Sequence, residues 1–206
     1  MKIEKLERSK HKQGRVLVRI EGGELLRVTE DELLRFGLHT GLDIDPETVV
    51  ELQQHAARSE TRARAANMIA ARPLSKQELT KRLRKRGAAD ADADAAADWL
   101  EDIGALDDLA YAKAVVRHYG AGGYGEAKLR DELYRRGVPR ALWDEALATA
   151  PDARETITRV IASKTKGGAL NEKECKKLSD LLLRRGFAWR DVKAALRALG
   201  AEIEED

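Results

Sequence analysis

The chain has 206 residues, with 38 Lys plus Arg against 36 Asp plus Glu; 36% of residues are charged, yet the formal net charge is only +2. No apolar run approaches the ~20 residues of a membrane span, and the start Met1-Lys2-Ile3-Glu4-Lys5 lacks the apolar core of a secretion signal, so a cytoplasmic protein without a membrane partner is expected. One cysteine, Cys175, excludes an internal disulfide framework and a cysteine-rich zinc site, and 4% aromatic residues suit small Ala- and Leu-based helical cores better than a β-sandwich.

The first 45 residues carry the strand signals. Arg15 to Ile20 places Val16, Val18 and Ile20 on one side of a strand, Gly22-Gly23 can turn a hairpin, and a return strand is expected over Leu25 to Val28. Thr29-x-x-Glu32 is a capping-box pattern opening a short helix closed by Gly37. Asp45 caps the next helix, with Pro46 at its first position, where the missing amide hydrogen costs nothing.

Beyond Pro46 the pattern is helical. Pro73, Gly87, Gly104, Gly120 to Gly125, Gly137 with Pro139, Pro151, Gly167-Gly168 and Gly186 divide it into about nine segments, or ten if the one from Pro46 breaks near Ser59. Apolar stripes at spacings of three and four include Tyr111, Val115 and Tyr119, and Val192, Leu196 and Leu199.

The segments repeat. Leu79 and Leu83 before Arg84-Lys85-Arg86-Gly87 recur as Leu129 and Leu133 before Tyr134-Arg135-Arg136-Gly137, and as Leu178 and Leu182 before Leu183-Arg184-Arg185-Gly186. A helix precedes and another follows each, which predicts three three-helix modules in tandem. The expected fold is mainly α: an elongated, curved array of three-helix repeats behind a small N-terminal module with a β-hairpin. The expected boundaries are 1–57 for that module, then 58–104, 105–150 and 151–206 for the repeats, the last with an acidic tail of Glu202, Glu204, Glu205 and Asp206.

Charge is segregated along the chain. Arg58 to Arg86 holds ten basic and two acidic residues, Asp90 to Asp108 eight acidic and no basic ones, and Lys164 to Arg190 eight basic and three acidic ones. A merely soluble surface mixes its signs, so the blocks point to partner electrostatics. Cations in a last helical turn complement the macrodipole, which accounts for one or two per helix end. It does not account for Lys81, Arg82, Arg84, Lys85 and Arg86 together, whose density fits an anion footprint, phosphate being the common polyanion.

Other motifs yield less. Gly120-Ala121-Gly122-Gly123-Tyr124-Gly125 satisfies Gly-x-Gly-x-x-Gly, but follows a helix with no βαβ unit around it; it reads as a hinge with Tyr124 exposed at its tip, and no cofactor is expected. His11, His39, His55 and His118 show no ligand spacing to one another or to Cys175, so no metal site is expected. Cys175 shares a stripe with Leu178 and Leu182 and reads as core, and Asp90 to Asp98, alternating with Ala, as the solvated start of a helix. No catalytic constellation is present, and the expectation is a protein that is not an enzyme.

Gly104-Ala105-Leu106-Asp107-Asp108-Leu109-Ala110-Tyr111-Ala112, followed by Gly123-Tyr124-Gly125-Glu126-Ala127-Lys128-Leu129-Arg130-Asp131-Glu132-Leu133-Tyr134-Arg135-Arg136-Gly137-Val138, resembles the central motif of the RecX regulatory proteins. Arg72 to Leu79 resembles the opening of that family's first repeat, and the likeness extends over most of residues 58 to 200. Departures are Leu74 where a basic residue is frequent, Gly122 where Lys commonly precedes Gly-Tyr-Gly, and Ala88 in place of an aromatic. The resemblance implies a monomeric regulator lying in the groove of the RecA recombinase filament on single-stranded DNA. It further implies inhibition of strand exchange, ATP hydrolysis and coprotease activity, a place in recombination, DNA repair and the SOS response, and contact with single-stranded and with double-stranded DNA. The anion- or filament-facing surface is then expected to comprise Lys81, Arg82, Arg84, Lys85, Arg86, Lys128, Arg130, Arg135, Arg136, Arg184 and Arg185, with Tyr124 as a secondary contact. Two other readings of the same residues are an independent DNA-binding protein that reads bases through helix-turn-helix pairs, and a helical scaffold for an acidic protein partner.

Overall fold

The hairpin expected between Arg15 and Val28 is the centre of a three-stranded antiparallel sheet in the order β1 (Ile3–Arg8), β2 (Arg15–Ile20), β3 (Leu25–Thr29). The computed structural model describes residues 1–10, 14–165 and 171–198; the expectations for His11, Gly167-Gly168, Leu199 and the acidic tail lie outside them. Val16, Val18 and Ile20 are buried on one face with Leu26 and Val28, as the alternation requires, and Gly22 and Gly23 take φ of 96° and 89° in the turn. Strand β1 was not expected, because its apolar residues Ile3 and Leu6 stand three apart. The register explains them: Ile3 opposes Ile20 but Lys5 opposes Arg19, so a bulge inserts one residue and turns both side chains to the core.

Helix α1 (Glu30–Arg35) opens with the expected capping box, Thr29 and Glu32 each accepting from the other's backbone amide. Helix α2 (Pro46–Ala71) is capped by Asp45, which accepts from the Thr48 amide at 2.7 Å. It does not break near Ser59. That hydroxyl donates to the His55 carbonyl one turn back at 2.9 Å and to buried Glu32, so the residue is accommodated inside a continuous helix.

The remaining helices are α3 (Lys76–Lys85), α4 (Asp90–Asp102), α5 (Asp108–Ala121), α6 (Glu126–Arg135), α7 (Trp143–Leu147, after a 3-10 turn at Arg140–Leu142), α8 (Ala153–Lys164), α9 (Glu172–Arg184) and α10 (Trp189–Ala198). The chain forms two compact units: Met1–Arg72 with Leu79–Ala105, and Pro73–Glu78 with Leu106 onward. In the first, Ile3, Val18, Ile20, Val28 and Leu52 form a core beneath the sheet, and α2 packs on α4; Ala65 of α2 and Ala93, Ala96 and Ala97 of α4 are fully buried. The Asp90 to Asp98 stretch opens α4, as expected, but it is solvated on one side only, since Ala93, Ala96 and Ala97 are fully buried. In the second, Val115, Val116, Leu129 and Leu133 form one cluster, and Ile157, Val160, Leu178, Leu182, Val192 and Leu196 another; buried Cys175 belongs to the latter. No helix among the described residues is long and apolar enough to cross a membrane.

Helices α3, α6 and α9 end alike. Gly87, Gly137 and Gly186 take φ of 86°, 68° and 86°. The next residue, Ala88, Val138 or Phe187, donates its amide to the carbonyl of Leu83, Leu133 or Leu182 at 3.1–3.2 Å. These are the leucines four before each glycine, and all three are fully buried. The sequence repeat is thus a repeated helix stop, with a core leucine as its acceptor.

Candidate nucleic-acid interface

The cations expected to face an anion sit on these three helix ends, and their surroundings differ. On α3, Lys81, Lys85 and Arg86 are exposed and make no ion pair among the described residues. Arg82 is half-buried and engaged. Arg84 grips Asp94 with one guanidinium nitrogen at 2.7 and 2.8 Å and Asp90 with Nε at 2.8 Å. The acidic block that follows α3 in sequence therefore folds back on the basic one, and Asp92 meets Arg58 at 3.2 Å. Part of the charge segregation is satisfied inside the chain.

On α6 the pairing goes further. Lys128 reaches Asp131 at 2.9 Å and Glu132 at 3.1 Å; Arg130 reaches Glu126 at 2.9 Å and Asp144 at 3.5 Å. Arg135 lies 3.6 Å from Glu132 and 3.9 Å from Asp131. Arg136 is half-buried: it donates to Glu132 and, at 3.0 Å, to the Tyr119 hydroxyl, with its guanidinium 5.1 Å over the Tyr119 ring. Burial disfavours the ionised Glu132 carboxyl, but donors from Arg136 and Lys128 outweigh it and hold that carboxyl below the usual range. Burial likewise opposes the Arg136 charge, and its acceptors Glu132 and Tyr119 overcompensate, raising its pKa. All four expected contact residues here are thus engaged: Lys128 and Arg135 within the helix, Arg130 also to Asp144 of α7 and Arg136 also to Tyr119 of α5.

On α9, Arg184 is exposed without a partner among the described residues, whereas Arg185 is half-buried, donating to the Gly123 carbonyl at 3.1 Å and lying 5.5 Å over the Tyr124 ring. Tyr124 is consequently not an exposed loop tip. It is half-buried between Arg185 and Tyr119, whose ring centroid is 5.7 Å away, because the Gly122–Gly125 turn is clamped by α9 through a Gly125 amide bond to the Arg185 carbonyl at 2.9 Å. The twelve residues do not form one equivalent surface. Lys81, Lys85, Arg86 and Arg184 are available to a ligand as they stand; Arg84, Lys128, Arg130 and Arg135 would exchange carboxylates for it; Arg82 is half-buried and already engaged; Arg136, Arg185 and Tyr124 are packing elements.

Among the described residues no group of His, Cys, Asp and Glu has the arrangement to hold a metal ion. The glycine-rich turn after α5 packs against α9 and presents no strand-turn-helix cradle.

Models of the first and second three-helix domains of RecX match residues 62–100 and 107–147. The regulatory protein RecX of Xanthomonas axonopodis pv. citri (strain 306) is 35% identical over 139 residues, covering 65% of this chain and 84% of the relative. That of Vibrio campbellii is 33% identical over 134 residues, covering 64% and 86%. A crystal structure of regulatory protein RecX superposes with a TM-score of 0.71 over 96% of this chain and 98% of its own, at 19% identity. That of RecX from Lactobacillus salivarius gives 0.61 over 70% and 97%, at 18% identity, a likeness of fold.

Proposed function

Because the chain belongs to the RecX family of regulatory proteins, we propose that it binds the RecA recombinase filament on single-stranded DNA and restrains it, inhibiting its recombinase, ATPase and coprotease activities. It acts as a monomer in the cytoplasm, without a cofactor or a reaction of its own, within recombination, DNA repair and the SOS response. The working parts are the three-helix modules 58–104, 105–150 and 151–206, with module 1–57 ahead of them.

The observation that carries this reading is the exposed cluster Lys81, Lys85 and Arg86 at the end of α3, unpaired among the described residues and inside the region that matches the first RecX three-helix domain. Three cations within two turns repel one another, a cost that a helix end does not need. A phosphate strand passing this end relieves the repulsion and releases its own counterions, which favours binding further. Arg84 can join by exchanging exposed Asp90 and Asp94 for phosphate, since such surface pairs contribute only ~0–1 kcal/mol. A body held along the DNA in this way obstructs subunit movement in the filament, which is how a protein without chemistry of its own can lower ATP turnover.

The test is a RecA ATPase assay on single-stranded DNA, titrated with the full chain and with its K81A/K85A/R86A variant. The full chain inhibits, and the variant needs about tenfold more protein, the loss expected for two or three phosphate contacts at moderate salt. Absence of inhibition at any ratio would reject the regulator reading, and equal inhibition by the variant would reject α3 as the contact.

A further inference from the structure

The N-terminal sheet has a second face, and nothing in the reading above uses it. Opposite the buried Val16, Val18, Ile20, Leu26 and Val28, the outward positions form a lattice fixed by the strand register. Lys5 stands opposite Arg19 and Arg19 opposite Leu25; Glu7 opposite Leu17 and Leu17 opposite Arg27; Arg15 opposite Thr29. The lattice therefore holds four cations and one carboxylate, and Glu7 is taken by Lys5 at 2.7 Å. Arg15, Arg19 and Arg27 make no hydrogen bond or ion pair through their side chains among the described residues.

Two comparisons show that this is not what the fold alone requires. The arginines of α6 each form an ion pair, whereas these three form none among the described residues: Glu7 is bonded to Lys5 and only weakly attracted by Arg19, although Glu4, Glu21 and Glu24 belong to the same module. Lys5 directly opposite Arg19 is a like-charged cross-strand pair, an arrangement that destabilises a sheet. Covering Leu17 with arginine stems is a packing role, but Thr or Gln would serve it without the repulsion.

We propose that this sheet face is a binding surface for a nucleic-acid strand, held through its phosphates without base reading. At about 3.4 Å per residue along a strand and ~4.8 Å between strands, Arg15, Arg19 and Arg27 span a patch of roughly 13 Å by 5 Å, enough for two or three successive phosphates. Arginine presents the planar fork that suits phosphate oxygens. No aromatic residue stands on the lattice, which removes base stacking as a source of affinity. A protein interface would put charge at the rim and an apolar core at the centre; here every cross-strand neighbour of the two outward leucines, Leu17 and Leu25, is charged. The surface is independent of the α3 cluster and would stand even if α3 contacted only protein.

The experiment measures anisotropy of a labelled mixed-sequence single strand, and of its duplex, with the full chain and no recombinase. The variants are R15Q/R19Q/R27Q and R15K/R19K/R27K, each also combined with K81A/K85A/R86A. The Gln variant is expected to bind about tenfold more weakly at moderate salt, with a log-affinity against log-salt slope shallower by about 2, in both backgrounds; the Lys variant keeps the slope. Melting followed by circular dichroism is expected to be unchanged or higher for Gln, because the Lys5–Arg19 repulsion is gone. Unchanged affinity and slope in the Gln variant would overturn the proposal, as would an equal loss in the Lys variant. So would loss of poly-glutamate binding with DNA binding intact, which would make the face a protein surface. None of these outcomes bears on the ATPase test.

Discussion

Gly87 and Gly186 carry the same φ of 86° and close the same kind of helix stop, yet a Cβ added at Gly87 would meet nothing within 4 Å, while one at Gly186 would meet the Lys128 backbone nitrogen at 2.5 Å. The third cap is a joint, holding the Gly125 amide on the Arg185 carbonyl at 2.9 Å and the Ala127 amide on the Gly186 carbonyl at 3.1 Å. The second is a joint too: the Arg136 carbonyl accepts from Ser75 Oγ, and Gln77 lies against Gly137. At the first, the side chain of Arg64 donates to the Arg86 carbonyl at 3.0 Å. One sequence motif thus serves two ends: where the cap is a joint, the cation directly before the glycine turns inward, as Arg136 and Arg185 do; where it is open, the equivalent Arg86 stays in solvent.

Alanine at the three glycines is the most severe test of that difference. Gly87→Ala should cost about 1 kcal/mol, the strain of the left-handed conformation alone. Gly137→Ala adds displacement of the Gln77 side chain, which can swing away. Gly186→Ala forces apart two backbones and should cost more than ~3 kcal/mol, since neither can move without opening the joint. Denaturant unfolding of the three variants should rank them in that order; equal losses would mean that the caps are equivalent.

Glu132 and Asp94 sharpen the comparison at lower energy. Glu132, with 8% of its side chain exposed, holds half-buried Arg136, whereas Asp94, at 54%, holds exposed Arg84. Glu132→Gln should cost ~1–3 kcal/mol, the penalty for a poorly satisfied buried charge, and Asp94→Asn less than ~0.5 kcal/mol. The pH dependence has a sign. The folded state holds the Glu132 carboxyl below its ordinary value, so its contribution is complete above the usual carboxylate range near pH ~4.3 and is lost as pH falls through the lowered folded value. Glu132→Gln should flatten this acid limb in a stability-against-pH series, and Asp94→Asn should leave it in place.

Most of the fold was legible because its signals are local. The hairpin, the Thr29–Glu32 box, the Asp45-Pro46 start and the three leucine-to-glycine stops each need only a few neighbouring residues, and each is where the sequence put it. Strand β1 was not legible, since the bulge between Ile3 and Lys5 breaks the period of two that marks a strand. The cations of the candidate site were legible as a population but not as individuals. Nothing in Arg135-Arg136-Gly137 distinguishes it from Lys85-Arg86-Gly87; the distinction is made by Glu132, Tyr119 and Ser75, the last 61 residues away from Arg136. Likewise only the register sets Arg15, Arg19 and Arg27 on one face, where the one carboxylate, Glu7, is bonded to Lys5.

The smallest effect probes whether the open cap is tuned from within. Asp90 and Asp94 occupy the Arg84 guanidinium, which stands one turn before Gly87 and beside Lys85 and Arg86. Neutralising both carboxylates as Asn removes two negative charges and frees one cation, while exposed pairs of this kind contribute little to folding. Affinity for a single strand should therefore rise a few-fold, with a steeper salt dependence by up to ~0.7 in the logarithmic slope for the one added phosphate contact. The same exchange around Arg130 of α6, at Glu126 and at Asp144 of α7, should change affinity less, because the neighbouring Lys128, Arg135 and Arg136 remain tied to Asp131 and Glu132. Equal gains at the two helices would show that internal pairing does not decide which cations reach a ligand; a gain confined to α3 would identify Asp90 and Asp94 as the residues that moderate the cluster's affinity.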